Sequence, residues 1–197
     1  MAHEQLERAE HAEHAAHGHG PSSTNKRIAL LIAILALFLA ISETLGKAAQ
    51  TEGLNYNVEA SNLWAFFQAK TIRQTAVRTA AETVELTRPQ VTDPAVAKRL
   101  DTWAKTVARW ETEPETQEGR KELAVRAKQA ETKRDTSLAR YHHYEVASAA
   151  FQIAIVLASA AVITSAMVLA FVAIGLGAVG LVFTAIGLLA PHSVHLF

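Results

Sequence analysis

Apolar and polar positions are segregated along this chain. Ile28–Ile41 is an unbroken run of 14 apolar residues, and no Asp, Glu, Lys or Arg follows Glu145, leaving 52 uncharged residues to the C-terminus. A bilayer-crossing helix takes about 20 predominantly apolar residues, so the late stretch predicts two spans folded back on each other and the early run predicts one. The early run covers only about 21 Å at 1.5 Å per residue, short of a hydrocarbon core of about 30 Å, so Ser42, Glu43 and Thr44 fall at the far interface. The expected fold is an all-α membrane protein with three transmembrane helices, one N-terminal and two in a C-terminal hairpin, and a long helical, coiled-coil-like insert between spans 1 and 2.

The segments divide into a flexible His/Glu-rich tail (1–25), the first transmembrane helix (26–49), the helical insert (50–144), the transmembrane hairpin (145–190) and a short C-terminal tail (191–197). Lys26-Arg27 before the first apolar run resembles the entry of a secretory signal. No small-x-small site leads into a mature start, and the apolar pattern continues to Ala49, so the run reads as a retained anchor.

Within the insert, Leu54–Leu86 holds neither proline nor glycine, which predicts that the first span runs on into a long helix. Ala65, Ala69, Ile72, Ala76, Thr79, Thr83 and Leu86 follow alternating four- and three-residue steps, the spacing of a coiled-coil seam. Arg88-Pro89 stops this helix, and Asp93-Pro94 starts the next by capping free amides and pre-setting the first helical angle. Val96, Leu100, Trp103, Val107 and Trp110 then form one apolar stripe, ending around Glu113-Pro114. Gly119–Arg140 predicts a third helix that enters the membrane near Tyr144–Val146.

Charge and composition narrow the function classes. The chain carries 19 basic and 19 acidic residues, so the electrostatic footprint of a nucleic-acid binder is missing. Zero cysteines remove disulfides, thiol catalysis and cysteine metal sites. No cofactor is expected: Gly175, Gly177 and Gly180 spell GxGxxG, but without the strand before it and the acidic residue after it that dinucleotide binding needs.

Candidate chemistry is sparse. His11, His14 and His17 in the tail are the metal candidates, yet a three-residue repeat drifts around a helix and does not form a cage. Glu43 is a carboxylate beside a span, which suits either a pore or ion-linked role or an interfacial pair with Lys47. Trp64, Phe66 and Phe67, with Lys70, Arg73 and Gln74 as polar arms, read as an oligomer or partner interface or as packing against the Trp103/Trp110 stripe. Lys70 and Arg73 also suit lipid headgroups. Tyr141, His142, His143 and Tyr144 are expected as a membrane-interface belt. Ala150, Ala154 and Ala158, like Ala173 and Gly177, have the spacing that lets membrane helices approach closely.

The stretch from Ser61 to Thr75 (SNLWAFFQAKTIRQT), together with the tail and the one-plus-two arrangement of spans, resembles the bacterial membrane domain-of-unknown-function family forty-three thirty-seven. That family has no established activity, and the resemblance implies bacterial origin and membrane residence. The expected function is a non-enzymatic, self-associating scaffold. The alternatives are a homo-oligomeric ion channel or transport component, and a metal-binding membrane protein acting through the tail. The expected partners are the lipid bilayer, further copies of the chain and an unknown protein, with no nucleic acid. The resemblance implies the bacterial inner membrane; Lys26 and Arg27 favour a cytoplasmic N-terminus and a periplasmic insert, while Lys47, Lys128, Lys133, Arg134 and Arg140 on the insert side favour the reverse.

Overall fold

A computed structural model describes residues 23–87 and 92–194; the tail histidines His11, His14 and His17 lie outside the described residues. The described residues form helices only: α1 Ser23–Thr87, α2 Pro94–Glu111, α3 Arg120–Thr164 and α4 Met167–Leu189. Helices α1, α3 and α4 each hold a stretch long and apolar enough to cross a membrane. The chain divides into an apolar unit, built from the residues up to Lys47 and from Ala139 onward, and a polar unit, Ala48–Leu138.

Local chemistry sets the helix ends. The Asp93 carboxylate accepts the Ala95 amide at 2.8 Å and Pro94 takes the first helical position of α2, where its missing N–H is no loss. Helix α2 ends at Glu111, two residues before the expected stop. In the connection to α3, Gln117 has a left-handed φ of 59° and Gly119 is buried. A methyl group at Gly119 would lie 2.8 Å from the Thr112 Cα, so only glycine permits this close approach. Helices α3 and α4 are separated by Ser165 and Ala166, with Ser165 at φ 57°.

In the apolar unit, the N-terminal part of α1, the C-terminal part of α3 and all of α4 pack on a core of small residues. Ala147, Ala154, Ala158, Ala161, Ala170 and Ala173 are buried around Leu35 and Phe151. Larger side chains such as Leu37, Val156, Phe171 and Leu189 point outward. This small-inside, large-outside distribution suits helices in lipid, where association depends on close backbone approach and tails solvate the outer face. Ala150, Ala154, Ala158, Ala173 and Gly177 are all buried, so the small-residue repeats serve packing within one chain.

In the polar unit, α1 and the start of α3 run antiparallel, with Gly53 against Leu138 and Trp64 bonded to Glu131. Ala60, Leu63, Leu123, Ala127 and Ala130 form the core, with Trp64 and Phe67 packed on it. The predicted α1 seam does not face this core: Ala65, Ala69, Ile72, Ala76, Thr79, Thr83 and Leu86 are all exposed. The inward positions are Ala60, Leu63, Phe67, Lys70, Gln74, Val77, Ala81 and Val84, which have the same four/three spacing. Lys70 and Gln74 break that stripe in the sequence, so it reads as polar until their partners are known.

Candidate functional site

Two features of the polar unit gather chemistry-bearing side chains: a polar cluster at the start of α3 and an open groove between α1 and α2. In the cluster, Arg120 Nη1 donates to Gln74 Oε1 at 2.6 Å and to Glu111 Oε2 at 2.9 Å. The Gln74 amide donates to the same Glu111 oxygen at 3.1 Å and to the Val107 carbonyl at 3.2 Å. Beneath it the Arg120 guanidinium lies 5.0 Å from the Phe67 ring centre, within cation–π range. Lys70, only 6 % exposed, donates to the Glu118 carbonyl, pairs with Glu113 at 3.7 Å and sits 5.1 Å over Phe66. Glu122 accepts the Thr112 hydroxyl at 2.7 Å and the Glu113 amide at 3.2 Å.

Three carboxyls in this unit are held below their ordinary range. The Gln74 amide lowers Glu111; burial raises it by less, and the Arg120 charge lowers it further. Glu122 is lowered first by the Thr112 hydroxyl, and Glu131 first by the Trp64 indole and then by Lys128. Groups fixed as anions and engaged by donors are poorly placed to exchange protons near neutral pH. The cluster therefore acts as a clasp that fastens the α2–α3 connection onto α1. Sequence reasoning missed Arg120, Glu111 and Glu122 because their partners lie on other helices or in the α2–α3 connection. The available signal was the pair Lys70 and Gln74, one helical turn apart.

The candidate interface residues separate into two groups. Trp64, Phe67, Lys70 and Gln74 face their own chain, whereas Phe66 and Arg73 are exposed. Trp64 meets Phe67 edge to face, with ring centres 5.4 Å apart, and donates from its indole to Glu131 at 2.9 Å. Trp64 and Phe67 pack on Leu123, Ala127 and Ala130 of α3, whereas Trp103 lies across from Val77 and Ala81 of α1.

The groove has a volume of about 550 Å³, walled by Val77 and Ala81 of α1 and by Leu100, Trp103 and Val107 of α2, with Arg78, Glu82, Glu85 and Glu111 at its edges. No residue of α2 is buried, so its apolar stripe is covered from one side only.

In the apolar unit, Glu43 is exposed and accepts a hydrogen bond from Gln152 at 3.3 Å. Across the bundle, the Ser42 and Thr184 hydroxyls are 2.9 Å apart. Tyr141 and His142 are half-buried, while His143 and Tyr144 are buried in the helix packing. His142 lies 3.8 Å from Glu145. His143 instead turns inward, Nε2 3.0 Å from the Pro191 carbonyl and its ring against Phe183. The adjacent histidines thus engage different partners, and among the described residues no group of three His, Asp or Glu side chains is placed to hold a metal ion. Two glycines of GxGxxG make packing contacts: a methyl at Gly177 would lie 2.7 Å from Leu35 and one at Gly180 2.8 Å from the Phe151 ring, while Gly175 faces open space.

The family model described as Domain of unknown function (DUF4337) matches residues 24–190, and the chain belongs to that family. No curated protein and no solved structure matches the chain.

Proposed function

We propose that this protein is a non-enzymatic scaffold of the bacterial inner membrane that self-associates through the helices outside its spans. The observation carrying this reading is the second stripe on α1, with Ile72 69 % exposed and Leu86 82 % exposed. Seven positions from Ala65 to Leu86 keep heptad spacing over six steps, and among the described residues no segment covers them. A stripe of that period matches a neighbouring helix, and its alanines allow that neighbour to approach closely. The polar cluster, whose charged groups are committed to structural contacts, supports a non-catalytic role.

The chain contains no cysteine, so a single introduced thiol reports one position. Ala76→Cys in native membranes is expected to give disulfide-linked dimers, while Asp101→Cys, exposed on α2, is expected to give few. Absence of dimers from Ala76→Cys together with a monomeric particle in native lipid would falsify the scaffold.

A homo-oligomeric channel is the second reading, favoured by the exposed Glu43 and its bond to Gln152, since an acid beside a span is a natural ion-linked group. In proteoliposomes, cation flux that falls on Glu43→Gln with the oligomer intact supports it; absence of flux removes it.

A further inference from the structure

The groove between α1 and α2 is an apolar surface left open by the chain's own packing. It arises because, among the described residues, α2 meets α3 only at its last residue, where Glu111 pairs with Arg120: further back Leu100, Trp103 and Val107 face Val77 and Ala81 of α1, and no α2 residue is buried. A two-helix pair leaves its seam uncovered on one side, and a third helix laid into the seam would complete the bundle. At its edge stand the exposed Glu82 and Glu85 of α1, with Arg78 one turn before Glu82 on the same helix.

The same unit presents a surface of complementary character. On the outer face of α3, Lys121, Val125, Lys128 and Thr132 follow four-, three- and four-residue steps, and all are exposed. Val125 is 56 % exposed and is bracketed by the two lysines, of which Lys128 also pairs with Glu131 at 3.2 Å within its own chain. Arg126 and Lys133 add positive charge nearby. One apolar knob between two lysines suits an apolar groove edged by two carboxylates, because lysine stems can lie along the walls while their ammonium groups reach the rim.

We propose that the α1/α2 groove of one copy receives the Lys121–Thr132 face of α3 from a second copy, with Val125 as the anchor and Lys121 and Lys128 against Glu82 and Glu85. This rests on the self-association reading and deepens it. The two surfaces differ, so the contact is head-to-tail: every copy has one groove and one knob, and repetition closes a ring or extends a filament. That is an architecture suited to a scaffold.

The test uses the full-length, cysteine-free chain in native membranes. Ala104→Cys in the groove and Val125→Cys on α3 are expressed separately and together, then treated with a short bis-maleimide. Co-expression is expected to give mixed dimers, and either variant alone to give at least ten-fold fewer. Glu82→Lys with Glu85→Lys is expected to lower the mixed crosslink at least ten-fold, as is Lys121→Glu with Lys128→Glu; combining both reversals in one chain is expected to restore it. Efficient crosslinking of Ala104→Cys with itself, or indifference to the reversals, overturns the head-to-tail contact in favour of another. An oligomeric particle without the mixed crosslink sinks this contact but spares the scaffold, whereas a monomeric particle removes both.

Discussion

At the scale of single residues, glycine and carboxylate positions lead to the sharpest expectations. Gly180 lies against the fully buried Phe151 ring, and an added methyl would sit 2.8 Å from it. That ring is itself stacked on Phe38, with centres 6.0 Å apart, and cannot swing aside as a flexible chain end could. Gly180→Ala is therefore expected to lose about 1–3 kcal/mol by overpacking, read as a lower unfolding midpoint in detergent. Gly175, with nothing within 4 Å of an added methyl, is the matched control and is expected to change little.

The lowered carboxyls set a pH dependence. Glu111, Glu122 and Glu131 sit below their ordinary value of 4.5 when folded, so the unfolded chain binds more protons than the folded one as pH falls through that region. Their contribution is fully present above about pH 4.5 and is lost as pH drops through the lowered values. Unfolding followed by tryptophan fluorescence is expected to show falling stability of the polar unit on acidification below pH 4.5. Glu111→Gln with Glu122→Gln is expected to flatten that slope.

At the scale of elements, the two stripes of α1 separate folding from association. Leu63 is buried against Leu123 and Ala127, so Leu63→Asp is expected to destabilise the polar unit by several kcal/mol, since it places an unpaired charge in a packed core. Ile72→Asp lies on the exposed stripe and is expected to leave the helix content unchanged and the stability within about 0.5 kcal/mol while abolishing the Ala76→Cys dimer. Circular dichroism and crosslinking on the same preparations separate the two effects. The pair also shows what was legible: heptad spacing along α1 was visible, but which of two equally spaced stripes turns inward was not. Lys70 and Gln74 count against the inner stripe in any hydropathy reading. They become buried positions only because Glu113, the Glu118 carbonyl, Glu111 and Arg120 converge on them from other parts of the chain.

At the scale of the whole molecule, the mass of the particle extracted with its native lipid is the first quantity to know. The scaffold reading expects several copies, and the head-to-tail contact expects either a closed ring of fixed number or a ladder of sizes. The proposed orientation, with the N-terminus in the cytoplasm, rests on the basic pair Lys26-Arg27. Asp101→Cys is expected to react with a membrane-impermeant maleimide added from the periplasmic side of intact inner membranes; protection there, with labelling only after lysis, would reverse the topology.

The sequence alone determined the helical class, the three apolar stretches, the long first helix and the start of α2 at Asp93-Pro94. These follow from local rules: hydropathy over about 20 residues, absence of helix breakers, and capping chemistry within a few residues. Only the tertiary structure decided that the alanine repeats pack inside one chain and that His143 turns toward Pro191 while His142 lies near Glu145. It also decided that Arg120 joins Gln74 and Glu111, and that α2 leaves a groove open. Each of these depends on which helix faces which. That choice is made by contacts between residues tens of positions apart, where a buried lysine or glutamine is acceptable once a distant partner satisfies it.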